Sequence, residues 1–70
     1  MKETRTITLR GLKPDILMQT MDREINELRS VSEEKGIIVE VKFPRQLVHI
    51  PGDHVTSYVL FQELELTYPD

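Results

Sequence analysis

The stretch Pro14–Gly36, PDILMQTMDREINELRSVSEEKG, decides the fold. Leu17, Met18, Met21, Ile25, Leu28 and Val31 recur at three- and four-residue steps, and Asp22, Arg23, Asn26, Glu27 and Arg29 fill the opposite side. That period describes an amphipathic helix with one apolar stripe, built to lie on another element. No other segment repeats the pattern, so the element it lies on has to be a sheet. Pro14 suits the first helical position, where its missing N–H would have no intrahelical partner. Asp15 is either the cap or a first-turn acid, and both suit the positive end of the helix dipole. Gly36 supplies a left-handed stop, with the apolar Ile37 just beyond it. Arg23 with Glu27 and Arg29 with Glu33 are spaced as i,i+4 ion pairs. Ser30–Glu33 has the S-x-x-E capping pattern. So little chain remains before Gly36 that it reads as a last turn with a slight bend. The methionines read either as an adaptable binding stripe or, as preferred here, as filler beneath a sheet.

Outward from the helix, both flanks alternate with period two. Upstream, Ile7 and Leu9 point one way and Thr6, Thr8 and Arg10 the other, which predicts a half-buried strand over about 4–10, closed by Gly11. Downstream, IIVEVKF places Ile37, Val39, Val41 and Phe43 on one face and Glu40 and Lys42 on the other, a strand over 37–43. Ile38 breaks the alternation by putting an apolar group on the polar side. Pro44, which cannot donate to a ladder, ends that strand. Residues 46–50 are a short extended segment, and Pro51-Gly52-Asp53 is a turn. From 55 to 68 the chain is extended again: Tyr58, Leu60, Gln62, Leu64, Leu66 and Tyr68 share one parity, and Val59, Phe61, Glu63, Glu65 and Thr67 the other. That length predicts a bulge near Gln62 and Glu63.

The predicted fold is therefore α+β: a single β-α-β-β domain over residues 1–70, one long helix (14–35) packed on one face of a three-stranded sheet, with a short extra extended segment at 46–50. The strands before and after the helix run parallel through a right-handed crossover, and the last is antiparallel to its predecessor. One helix covers one face. Ile38, Val59 and Phe61 fall on the other, where contiguous exposed apolar surface marks an interface.

Composition narrows the function classes. A chain of 70 residues holds one small core, and such cores usually need disulfides, a metal or oligomerisation. Cysteine is absent and there are two histidines, so self-association is the expected remedy. The net charge of −3, with both signs interspersed, argues against a nucleic-acid partner. No apolar run has the length of a membrane span or a signal peptide, so a cytoplasmic location with no membrane partner is expected.

TITLRG, IIVEVKF and HVTSYVLFQELEL, in this order around one helix, resemble the three strands of the dodecins, small strand–helix–strand–strand proteins. The resemblance runs nearly end to end and implies assembly into hollow dodecamers that bind flavins. The dodecin flavin stacks on a tryptophan at the start of the second strand and bonds a glutamine in the closing strand. Ile37 or Ile38 and Val59 stand at those places here, so flavin binding is not carried over and no cofactor is expected.

Little else carries chemistry. His49, Asp53 and His54 flank the turn and read as solvated loop residues rather than a metal site, which needs three or four ligands held rigidly. Glu63 and Glu65, on one strand face, are placed to pair with Lys42 or to repel each other. Neither a Gly-rich phosphate loop nor a Ser–His–Asp arrangement is present. Tyr58 and Phe61 either stack a planar ligand at an interface or pack there. The expectation is a non-enzymatic homo-oligomeric module that works through its exposed sheet face or edge, by self-assembly or by binding a protein partner, with Ile38, Val59, Phe61 and Tyr58 as interface residues. The alternative is a small-ligand binder with pockets between subunits.

Overall fold

A computed structural model describes residues 1–70. Five elements follow one another: β1 (Lys2–Gly11), α1 (Pro14–Glu34), β2 (Ile38–Val41), β3 (Gln46–Ile50) and β4 (Ser57–Thr67). The fold is α+β, as the patterning predicts. β4 is the central strand and pairs antiparallel with all three others. β1 lies along one side of it, and β2 and β3 follow one another along the other. The segment expected to be merely extended at 46–50 is thus a full strand, and β1 and β2 are parallel without touching, with β4 between them.

Register explains the broken side. β1 pairs with β4 without interruption from Lys2↔Thr67 to Gly11↔Tyr58. β2 pairs Val41 with Leu64, whereas β3 resumes with Gln46 opposite Phe61. Residues 42–45 therefore stand opposite only Gln62 and Glu63. The irregularity expected in β4 lies instead in its neighbour, where Pro44 cannot donate to the ladder. Two extra residues preserve the pleat, so Val39, Val41 and Leu47 all keep to the helix side. Phe43 leaves the face it was expected to share with them. β2 accordingly stops at Val41 rather than at 43.

The helix packs Leu17, Met21 and Ile25 onto Leu60, Leu64 and Leu66, and these six residues are the core. Gly11 lets the helix start close against β1: a Cβ there would lie 3.2 Å from Leu17 Cδ2. Lys13 occupies the cap position without a side-chain bond, and Asp15 is a first-turn acid. The helix continues unbroken through Ser30–Glu33, and its stripe ends on Ser32, not Val31. Ser32 is buried and Val31 is 54% exposed, because four residues on from Leu28 comes Ser32. The stop is a Schellman motif: Gly36 sits at φ +73°, the Gly36 N–H donates to the Glu33 carbonyl at 3.1 Å, and the Ile37 N–H donates to Ser32 at 2.8 Å. Neither expected i,i+4 pair forms. Arg45 instead reaches from the strand break to Asp22 at 2.7 Å. No helix is long and apolar enough to cross a membrane.

The result is long and thin, 51 × 18 × 13 Å, with a radius of gyration of 14.2 Å. A compact chain of this length would have a radius of about 11 Å. Its accessible surface is 5113 Å², against roughly 4,500 Å² for a typical monomer of its mass. Eight residues are buried. A shape like this leaves much of the sheet uncovered.

Candidate functional site

The uncovered face is built from three lanes. β1 contributes Lys2, Thr4, Thr6, Thr8 and Arg10; β4 contributes Val59, Phe61, Glu63, Glu65 and Thr67; and the broken lane contributes Ile38, Glu40, Gln46, Val48 and Ile50. Along the sheet this face changes character. At one end Val59 and Phe61 sit beside Val48 and Ile50, which are 42% and 41% exposed. Toward the other end lies a charged rung: Glu65 accepts from Lys42 at 3.3 Å on one side and meets Lys2 at 3.4 Å on the other. The hydrogen bond from Lys42, then that from Lys2, holds the Glu65 carboxyl below its usual titration range.

This arrangement redistributes the residues expected at an interface. Val59 and Phe61 are together, as their shared parity predicts. Ile38 is on the same face but pairs with Thr67, six residues along β4 from Phe61, a separation of about 20 Å. The charged rung lies between them, so the apolar surface is not contiguous. Tyr58 turns to the helix side, packs against the core and meets His49 edge-on with ring centroids 4.8 Å apart. Tyr58 and Phe61 therefore cannot stack on one ligand within a single chain. The apolar partners that sequence reasoning missed are Val48 and Ile50. Their alternation was visible, but the pairing that brings them beside Val59 depends on the two-residue offset after Pro44.

That offset also opens a cavity of about 290 Å³ on the same face, lined by Thr6, Phe43, Pro44, Gln46, Phe61 and Glu63. Two aromatic rings and a carboxylate thus border one hollow. Glu63 is half-buried and belongs to none of the five ion pairs. Beneath it, Gln62 donates its amide to the Phe43 carbonyl at 3.4 Å, while its Oε1 is buried without a partner. A larger hollow of about 460 Å³ lies on the helix side, where Leu12 and Ile16 stand open between the end of β1 and the first helical turn.

Other polar groups do not converge. His49, Asp53 and His54 do not form a cluster that would hold a metal ion. On the helix side near the chain ends, the Tyr68 hydroxyl donates to Glu3 Oε1, and Arg5 reaches the same carboxylate at 3.1 Å. The Tyr68 bond lowers the Glu3 titration range, and Glu3 in turn raises that of Tyr68. No protein-family model, curated protein or solved structure matches this chain.

Proposed function

We propose that this chain is a non-enzymatic, self-associating module whose working surface is the open face of the sheet around Phe61. One observation carries the reading: Val48, Ile50, Val59 and Phe61 stand side by side on a face that no element of the chain covers. Three lanes about 4.8 Å apart and some eleven residues long give a face of about 500 Å² in projection. That is of the order of the ~800 Å² per partner in a standard interface. Six core residues give a chain of this length little stability of its own, and covering this face is the available way to bury more apolar surface. The dodecin-like reading adds a precedent for small subunits of this element order that assemble.

A second reading keeps the same face and adds a small ligand. The cavity bordered by Phe43, Phe61 and Glu63 favours it, because an assembly would close over that hollow. Solution mass measured across a concentration series tests the first reading. The wild-type chain is expected to associate, and Phe61→Glu to shift it to the mass of one chain while the circular dichroism spectrum is retained. A wild-type chain that remains monomeric at every concentration, or a Phe61→Glu variant that associates unchanged, overturns it. Native mass spectra of protein purified from its host test the second, which predicts a retained small molecule.

A further inference from the structure

Three ionic groups of the open face, Glu40, Glu63 and Arg10, enter no ion pair, and the last two flank Phe61. Glu63 borders the aromatic cavity, and Arg10, at the far end of β1 and exposed, likewise enters no ion pair. Their positions in the sheet are related. Thr8, Phe61 and Gln46 form one rung across the three lanes. Two residues along β4 in one direction lies the Thr6–Glu63 rung with its cavity; two residues in the other lies the rung Arg10–Val59–Val48. Phe61 is midway between an unpaired carboxylate and an unpaired guanidinium.

We propose that the occupant of the open face is a second copy of this chain, related by a two-fold axis lying along the Thr8–Phe61–Gln46 rung. In that dimer, Arg10 of the partner subunit enters the cavity bordered by Phe43, Phe61 and Glu63. This rests on the reading of the open face as the self-association surface and deepens it. Such an axis lays each lane over its own copy and exchanges the two flanking rungs. Phe61 meets its own symmetry mate. Val48 of the partner subunit lies over Phe43 and Pro44, apolar on apolar, and the partner's Val59 lies over Glu63. Arg10 of the partner subunit then stands one lane to the side of Glu63. With sheets about 10 Å apart and lanes about 4.8 Å apart, the two Cα atoms are about 11 Å apart, a span that an extended arginine and a glutamate close together. Both groups lie near the axis, where the roughly 30° crossing of packed sheets displaces them least.

The chemistry of the cavity suits this guest. A guanidinium is planar, stacks on aromatic faces and presents a fork of donors to a carboxylate. Lysine would use neither the planarity nor the fork as well. The contact occurs twice, as an isologous interface requires. Lys2 and Lys42 already occupy Glu65, which leaves Glu63 as the free carboxylate on β4.

Charge exchange tests the contact. Arg10→Glu and Glu63→Arg are expected each to weaken association about tenfold or more, in line with measured couplings for close charge pairs across interfaces. The Arg10→Glu/Glu63→Arg double variant is expected to recover association to within about threefold of wild type, since it restores opposite charges across the same gap. Sedimentation equilibrium reads all three, and Arg10→Lys and Glu63→Gln serve as mild variants that leave the strands undisturbed. A double variant no tighter than the weaker single one overturns the Arg10–Glu63 contact, as do single variants that associate like wild type. If Phe61→Glu dissociates the assembly while Arg10→Glu does not, the face reading stands and the Arg10 contact falls. If the wild-type chain never associates, both fall.

Discussion

Along β4, Leu60, Gln62, Leu64 and Leu66 are buried, while Val59, Phe61, Glu63 and Glu65, interleaved with them, are half-exposed. The two sets belong to one strand and differ only in which side of the pleat they take. In the buried set the side chains are aliphatic apart from Gln62, and Leu17, Met21 and Ile25 close over them. On the open side aromatic, β-branched and acidic groups follow one another with no covering element. The difference separates two tasks. The first face holds the chain folded, and the second, which no element of the chain covers, is the one proposed for contacts between copies. A mixed face of this kind makes poor core but good interface, because apolar anchors supply affinity and charges supply register.

The largest expected effect lies on the first face. Leu64 is fully buried, and Leu64→Ala should cost about 2–5 kcal/mol through lost burial and the cavity left behind. A domain of this size has only some 4–10 kcal/mol in total. Urea unfolding should therefore show a midpoint shifted far toward zero denaturant. Phe61→Ala, measured dilute enough for the chain to be monomeric, should cost about 1 kcal/mol or less. Equal losses from the two substitutions would break the contrast, since Phe61 would then belong to the core of the single chain.

Gln62 is the exception that sharpens the contrast. It is an amide on the buried face, 4% exposed, with one oxygen unpartnered. Its amide nitrogen meets the Phe43 carbonyl at the strand break, at 3.4 Å, and Phe43 itself is 53% exposed. Gln62→Met keeps the volume and removes the orphan oxygen, and should stabilise the chain by about 1 kcal/mol in urea titration. A loss of similar size would mean that the amide holds the 42–45 offset in place. The same variant would then weaken association, by disturbing the cavity beside it.

The parts of this architecture that were legible in the sequence are those set by local chemistry. The stripe from Leu17 to Leu28, the stop at Gly36 and the parity of β4 depend on neighbours a few residues away, so pattern suffices to read them. The offset at 42–45 was not legible in the same way. Pro44 announced an interruption, but whether the chain would resume in the same lane, and with which parity, depends on pairing with a strand that comes later. For that reason neither the place of Val48 and Ile50 beside Val59 nor the separation of about 20 Å between Ile38 and Phe61 can be read from the order of residues alone. Val31 fits the apolar stripe by type, and only the placement of the helix on the sheet shows that Ser32 takes the buried position.

The smallest expected effect compares the electrostatics of the two faces. Glu65 on the open side is held below its usual range by Lys42 and Lys2, and Glu3 on the helix side by Tyr68 and then Arg5. In both cases the folded state binds the proton less readily than the unfolded chain. Each carboxylate therefore contributes stability that is present above the ordinary value of 4.5 and is lost as the pH falls through the lowered one. Tyr68, whose range is raised, adds the opposite limb: its contribution is full below 10.0 and is lost as the pH climbs through the raised value. The groups are near the surface, so salt should flatten both limbs. Urea midpoints recorded from neutral to acid pH should fall for the wild-type chain, and less for Glu65→Gln and for Tyr68→Phe. The two variants differ at the alkaline end, where only Tyr68→Phe should remove the decline. If Glu65→Gln flattens the acid limb of the assembly more than that of the dilute single chain, the charged rung on the open face is also part of the contact between copies. Equal flattening in both would confine its role to joining the three lanes of the sheet.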